Sequence, residues 1–144
     1  MNDPFVSILI LTFARTKNLE EALFSALNQN YDNYNIIVLN QCEQQKLYIN
    51  NDKIKIINAE KTFDTLSKGW NKLIDYSNAD IVTIMADDDL LLPWHIQDHV
   101  NNILNNNVVL SVCGKCQFWE RKIQKLSIAP CIANIAHKNQ QTIR

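Results

Sequence analysis

Three consecutive carboxylates, Asp87, Asp88 and Asp89, close an apolar run from Ile81 to Met85. Residues of that kind read as a strand buried on both faces of a parallel sheet, so the strand would deliver the three acids together to one rim. Two carboxylates about 4 Å apart repel by roughly 4 kcal/mol at an effective dielectric near 20. A partly buried cluster must therefore take up protons, find donors or bind a cation. Mg²⁺ or Mn²⁺ suits such a set, because hard cations prefer oxygen ligands, commonly one or two carboxylates completed by phosphates and water. A solvated turn is the plainer alternative. Two further sets could bind a metal. His95 and His99 are spaced i, i+4 on an expected helix, with no third ligand evident. Cys113, Cys116, Cys131 and His137 imitate zinc-ribbon spacing. On one continuous strand, however, Cys113 and Cys116 would point to opposite faces unless the chain turned at Gly114.

Composition narrows the chemistry. The chain has 144 residues, a formal net charge of -1 and 47% hydrophobic residues, which fits one domain, residues 1–144, burying about 68% of its unfolded surface. With no block of Lys or Arg there is no basic face, so no nucleic-acid partner is expected. The opening segment is too short and too acidic for a membrane span or a signal peptide. That places the chain in the cytoplasm, with its four cysteines as reduced thiols. Gly69 and Gly114 are the only glycines. No glycine-rich phosphate loop is available, and any phosphate must be held through a metal, side chains or ordinary backbone.

The elements that position these groups alternate. Strands are expected at Phe5 to Leu11, Ile36 to Leu39, Ile54 to Ile57 and Ile81 to Met85. Helices are expected from Leu19 to Leu27, opened by an Asn18/Glu21 capping box, around Leu66 to Ile74, and after Pro93 with Ile96, Val100, Ile103 and Leu104 buried. Residues 108–119 and 123–128 read as two strands of a hairpin. Alternation of this kind predicts an α/β fold, a mostly parallel sheet with helices on both faces. Ligands of such sheets sit beyond the carboxyl ends of the strands, where strand order reverses. Residues 12–15, 40–42 and 87–89 all fall at such ends.

The order of these segments resembles the nucleotide-binding part of family 2 glycosyltransferases of the GT-A fold. That pattern has a first strand ending in Thr-Tyr-Asn-Arg and a helix ending Gln-Thr-Tyr. A strand with paired aspartates follows, and then an Asp-x-Asp-Asp segment before a proline. Here the matching residues run from Phe5 to Pro93: Thr12, Phe13 and Arg15 after the first strand, Gln29 and Tyr31 after the helix, and Asp87 to Asp89 before Pro93. The resemblance implies that Asp88 coordinates Mn²⁺ or Mg²⁺ with Asp89 as a supporting carboxylate, and that Asp87 faces the ribose or first phosphate. It sets Phe13 beside the base and Thr12 against the nucleoside, with Arg15 in the same loop. The departures are Ala86 for the first aspartate of the acidic segment, Asn40 and Gln41 for the paired aspartates, and Gly69-Trp70-Asn71 for Ala-Arg-Asn. Asn40 would then contact the donor, and Lys68 would supply the basic group lost at Trp70.

What the resemblance implies for function is metal-dependent, inverting transfer of a sugar from a nucleoside-diphosphate donor, UDP-linked, to a glycan or lipid-linked acceptor in polysaccharide biosynthesis. A lipid-linked acceptor would bring the chain to the inner face of the membrane. The catalytic base is expected in an acceptor-binding half beyond Arg144 and has no assigned residue here. A sheet edge exposed by the lack of that half would favour a homodimer. The alternative is a non-catalytic, truncated domain that retains nucleotide-sugar binding.

Overall fold

The computed structural model describes residues 3–13, 15–119, 122–127 and 132–133. Strands β1 (Val6–Thr12), β2 (Tyr34–Asn40), β3 (Ile54–Asn58) and β4 (Ile81–Ala86) form one sheet in the order β3-β2-β1-β4, parallel throughout. Helix α1 (Thr16–Leu27) connects β1 to β2, and α2 (Leu66–Asp75) connects β3 to β4. The first crossover steps from β1 to β2, and the second runs back the other way, from β3 past β2 and β1 to β4. Because such connections are right-handed, they put their helices on opposite faces of the sheet. The chain therefore reverses direction across the sheet between β1 and β4, as an α/β fold with helices on both faces requires.

Each strand forms where the apolar run demanded it. Every residue of β1 is buried, and β2 is buried except at Asn35. On one face Leu9, Leu11, Ile37 and Leu39 pack with Leu73 of α2 and with Ala59, and Trp70, Phe63 and Tyr76 close the margin. The opposite face presents Val6, Ile8 and Ile10, and α1 buries Leu19, Ala22, Leu23 and Ala26. Ser7 is the polar exception at the centre of the sheet. Its hydroxyl donates to Asn35 Oδ1 at 2.7 Å and accepts from Ser77 at 2.9 Å, so it carries no unmet desolvation cost. Gly69 lets α2 approach closely: a Cβ there would stand 3.0 Å from Leu11 Cδ2 and 3.2 Å from Gln41 Oε1.

Helix starts differ from the sequence expectation in one case. No Asn18/Glu21 capping box forms, because α1 begins at Thr16 with Arg15 as its N-cap and no side-chain cap bond. Helix α2 is capped in the ordinary way, Thr65 Oγ1 accepting from Lys68 N at 3.3 Å.

The chain divides into two compact units, residues 1–95 and 96–144, the boundary falling within α3 (His95–Asn106) after its first residue. Helix α3 buries Ile96 and Val100. It ends with Asn107 in the left-handed region (φ 50°) and Val108 N donating to Ile103 O, a closure that Asn tolerates better than most residues. In the second unit β5 (Ser111–Val112) pairs with β8 (Ile132–Ala133), and β6 (Lys115–Trp119) with β7 (Lys122–Ser127), both antiparallel. The expected hairpin is therefore present. The single strand expected over residues 108–119 is not: it is broken at Cys113 and Gly114, between β5 and β6. Among the described residues no helix is long and apolar enough to cross a membrane.

Leu73 has no exposed surface in the α2 face of the core. Leu73→Ala is expected to cost about 2–5 kcal/mol, lowering the urea midpoint without a change in slope. An unchanged midpoint would show that this face contributes little to stability.

Candidate functional site

Register builds the site. Leu11 pairs with Ala86 across β1 and β4, so the next residues, Thr12 and Asp87, stand side by side at the carboxyl ends. On its other side Thr12 pairs with Asn40 at the end of β2. Asp87 has no exposed surface. Its Oδ2 accepts from Thr12 Oγ1 at 2.6 Å and from Arg15 Nε at 3.2 Å. Its Oδ1 lies 2.5 Å from Arg15 Nη2, so the guanidinium faces both carboxylate oxygens. Arg15 Nη1 donates to Asp88 Oδ2 at 2.8 Å, so one guanidinium spans both carboxylates. Arg15 and Asp88 are about half-exposed, and their pair is worth about 1 kcal/mol or less. The Arg15 contact to Asp87 matters more, because removing it would leave a buried charge with one hydroxyl for company.

Asp89 takes a different position. Its N–H donates to Ala86 O at 3.2 Å, and its Oδ2 accepts from Ala86 N at 3.4 Å, so it closes the turn that presents the other two acids. Residues to which the sequence reading assigned no role at the acids, Gln29 of the family pattern among them, hold the segment after this turn. Leu91 N donates to Ser25 Oγ at 3.1 Å, Gln29 Nε2 donates to Leu92 O at 3.0 Å, and Asn30 N donates to Pro93 O at 2.7 Å. The end of α1 thereby straps the acidic segment in place. The signal was present only as polar residues at the tail of that helix, facing a proline-containing stretch. Phe13, Leu90, Leu92 and Trp94 are all substantially exposed around the rim.

Asn40 is at the rim but is not open to it. It is fully buried: its Nδ2 donates to Gln45 O at 2.6 Å and to Asn58 Oδ1 at 3.0 Å, and its Oδ1 accepts from Cys42 N at 3.1 Å. Asn58 in turn exchanges hydrogen bonds with the Leu47 backbone. Asn40 and Asn58 together pin the loop after β2. Lys68 is not among the residues brought together at the acids. Its Nζ pairs with Asp64, one turn back along the chain, and both side chains are largely exposed.

A divalent cation at the acidic rim has to take the place of Arg15, whose Nη2 lies 2.5 Å from Asp87 Oδ1 and whose Nη1 donates to the half-exposed Asp88. The two adjacent carboxylates that the guanidinium covers are of the kind that proteins contribute to Mg²⁺ or Mn²⁺ sites.

The family model described as "Glycosyl transferase family 2" matches residues 7–142. Among curated proteins, the chain is 29% identical over 119 residues to an uncharacterized glycosyltransferase of Rickettsia typhi, covering 77% of this chain and 36% of that protein. It is 25% identical over 117 residues to an uncharacterized glycosyltransferase of Haemophilus influenzae, covering 77% of this chain and 47% of that one. The chain thus spans about a third to a half of the length of the curated relatives it matches. Solved structures similar in fold include S. aureus TarS 1–349 in complex with UDP-GlcNAc, with a TM-score of 0.61, 17% identity, and coverage of 72% of this chain and 32% of that one. The mannosyltransferase PcManGT of Pyrobaculum calidifontis, in complex with GDP-Man and Mn²⁺, has a TM-score of 0.56 and 14% identity, covering 81% of this chain and 37% of that one. The observed sheet is of the GT-A type that these folds represent.

Thr12→Val is expected to cost about 1–3 kcal/mol, since it removes a hydroxyl donor to a buried carboxylate. Thr12→Ser should retain most of the stability. Equal urea midpoints for the Val variant and the unaltered protein would mean that Asp87 does not need this hydrogen bond.

Proposed function

The chain belongs to glycosyl transferase family 2, and on that premise we propose that it binds a nucleoside-diphosphate sugar, UDP-linked, for transfer to an acceptor hydroxyl. The observation that carries this reading is the Thr12–Asp87–Arg15–Asp88 constellation at the point where strand order reverses. Open parallel sheets bind their ligands at that crevice. In the reaction the bond from the anomeric carbon to the diphosphate breaks as the acceptor oxygen bonds to the opposite face, configuration inverts, and the hydroxyl proton passes to a general base for which no residue is assigned here. The acceptor would be a glycan or a lipid-linked sugar, in polysaccharide biosynthesis, and for a lipid-linked acceptor the protein would work at the inner face of the membrane.

The residues divide the work by position. Asp88, exposed at the rim, is the metal ligand, with Asp89 in support through the turn it closes. Held there, Mn²⁺ or Mg²⁺ would supply positive charge to the leaving diphosphate. Asp87 lies beneath the Arg15 guanidinium and faces the ribose or first phosphate once Arg15 moves aside. Arg15 then offers its positive charge to the diphosphate. Thr12 holds the Asp87 carboxylate in one orientation, and the exposed ring of Phe13 offers a stacking face for the base. Asn40 acts on the base side through the backbone of the loop it pins. Lys68 reaches the donor only by leaving Asp64. The whole of residues 1–144 would serve as one nucleotide-sugar-binding domain.

Isothermal titration of UDP, with GDP and dTDP as comparators, tests this with and without Mn²⁺. The expected result is Mn²⁺-dependent binding of UDP, weakened by at least about tenfold in Asp88→Ala. Binding of no nucleotide by a folded chain would overturn the reading. Metal-independent binding that Asp88→Ala leaves unchanged would remove Asp88 from the site.

A further inference from the structure

We propose that His95, His99 and Cys113 form a zinc site, with a donor set unlike that of the acidic rim and independent of the nucleotide-sugar reading. One ligand atom from each residue lies within 4.8 Å of the other two. Bond lengths of 2.0–2.3 Å in a tetrahedral zinc centre place neighbouring ligand atoms about 3.3–3.8 Å apart, so side-chain adjustment of about 1 Å closes the set. The histidines owe their proximity to α3 itself, since residues four apart share a helix face. Cys113 stands at the break between β5 and β6.

The surroundings favour a ligating imidazole. His99 Nδ1 is 2.6 Å from Ser111 Oγ, which also accepts from Asn102 Nδ2 at 2.7 Å. Donation of Nδ1–H to this hydroxyl fixes the tautomer whose lone pair is on Nε2, the outer-sphere arrangement typical of zinc histidines. The donor set also selects the ion. Two imidazoles and a thiolate favour zinc over Mg²⁺ or Mn²⁺, which prefer oxygen. Binding costs the Cys113 thiol its proton, released to solvent as the sulfur–metal bond forms. Three protein ligands leave the fourth tetrahedral position to water. Cys131 and His137 lie outside the described residues.

The test uses the whole chain without a polyhistidine tag, stripped of metal under reducing conditions and titrated with Co²⁺. The expected result is one equivalent bound, with a thiolate-to-cobalt charge-transfer band in the near ultraviolet and intense visible bands of tetrahedral cobalt, both abolished by one equivalent of Zn²⁺. Cys113→Ser, His95→Asn and His99→Asn should each weaken binding by roughly tenfold or more. Asp88→Ala should leave it unchanged. Wild-type affinity in any of the three ligand variants, or only the weak spectrum of octahedral cobalt in the unaltered protein, would overturn the site. The second criterion needs no variant and stands even if one of them fails to fold.

Discussion

A carboxylate without exposed surface must be compensated where it stands, and Asp87 imposes that condition on the whole carboxyl rim of the sheet. Its compensation comes from Thr12 and Arg15, 75 and 72 positions earlier in the chain. Only adjacency of β1 and β4 can bring them there. The parallel register places Thr12 beside Asp87, and the short loop before α1 lets Arg15 reach back over both acids. The side chain at the start of α1 is thus committed to the acids rather than to its helix, which has no side-chain cap. At the other end of the same helix, Ser25, Gln29 and Asn30 hold the residues after the acids. Helix α1 is tied to the acidic segment at both ends.

Burial of β1 on both faces follows from its central place between two crossovers. A strand in that position can carry little but apolar residues, and the exception, Ser7, is satisfied from both sides. The flanking strands relax this rule by degrees. β4, at the end of the sheet order, alternates between partly buried and exposed residues until Met85, and only there does burial become complete ahead of Asp87.

Most of the sheet was legible because parallel strands are written as unbroken apolar runs, and all four runs became strands within one or two residues of their expected limits. The acidic rim was legible for the same reason: the run ends at Asp87. Less could be read where the deciding partner lies far off in sequence. Asn40 has the residue type and position of a ligand contact, but its amide is used by Asn58 at the end of β3 and by the Gln45 carbonyl. Only strand register reveals that neighbour. Asp88 and Asp89 are adjacent and chemically identical, yet one is open at the rim and the other folds back on Ala86, a difference set by the turn. The break at Cys113 and Gly114 was hidden because the alternating pattern continues across it. The capping box failed because Asn18 and Glu21 lie inside a helix that had already begun.

The clamp on Asn40 also bears on chemical ageing. Asparagine deamidates when the backbone nitrogen of the next residue attacks the side-chain carbonyl carbon. At Asn40 that nitrogen belongs to Gln41 and donates to Thr12 O at 2.9 Å, while the amide itself is buried and bonded at both ends. Asn50, Asn51 and Asn105 to Asn107 are exposed. In a stored preparation, new negative charge would accumulate at those surface positions first, and the rim would keep its amide chemistry while the rest of the molecule drifted toward a lower isoelectric point.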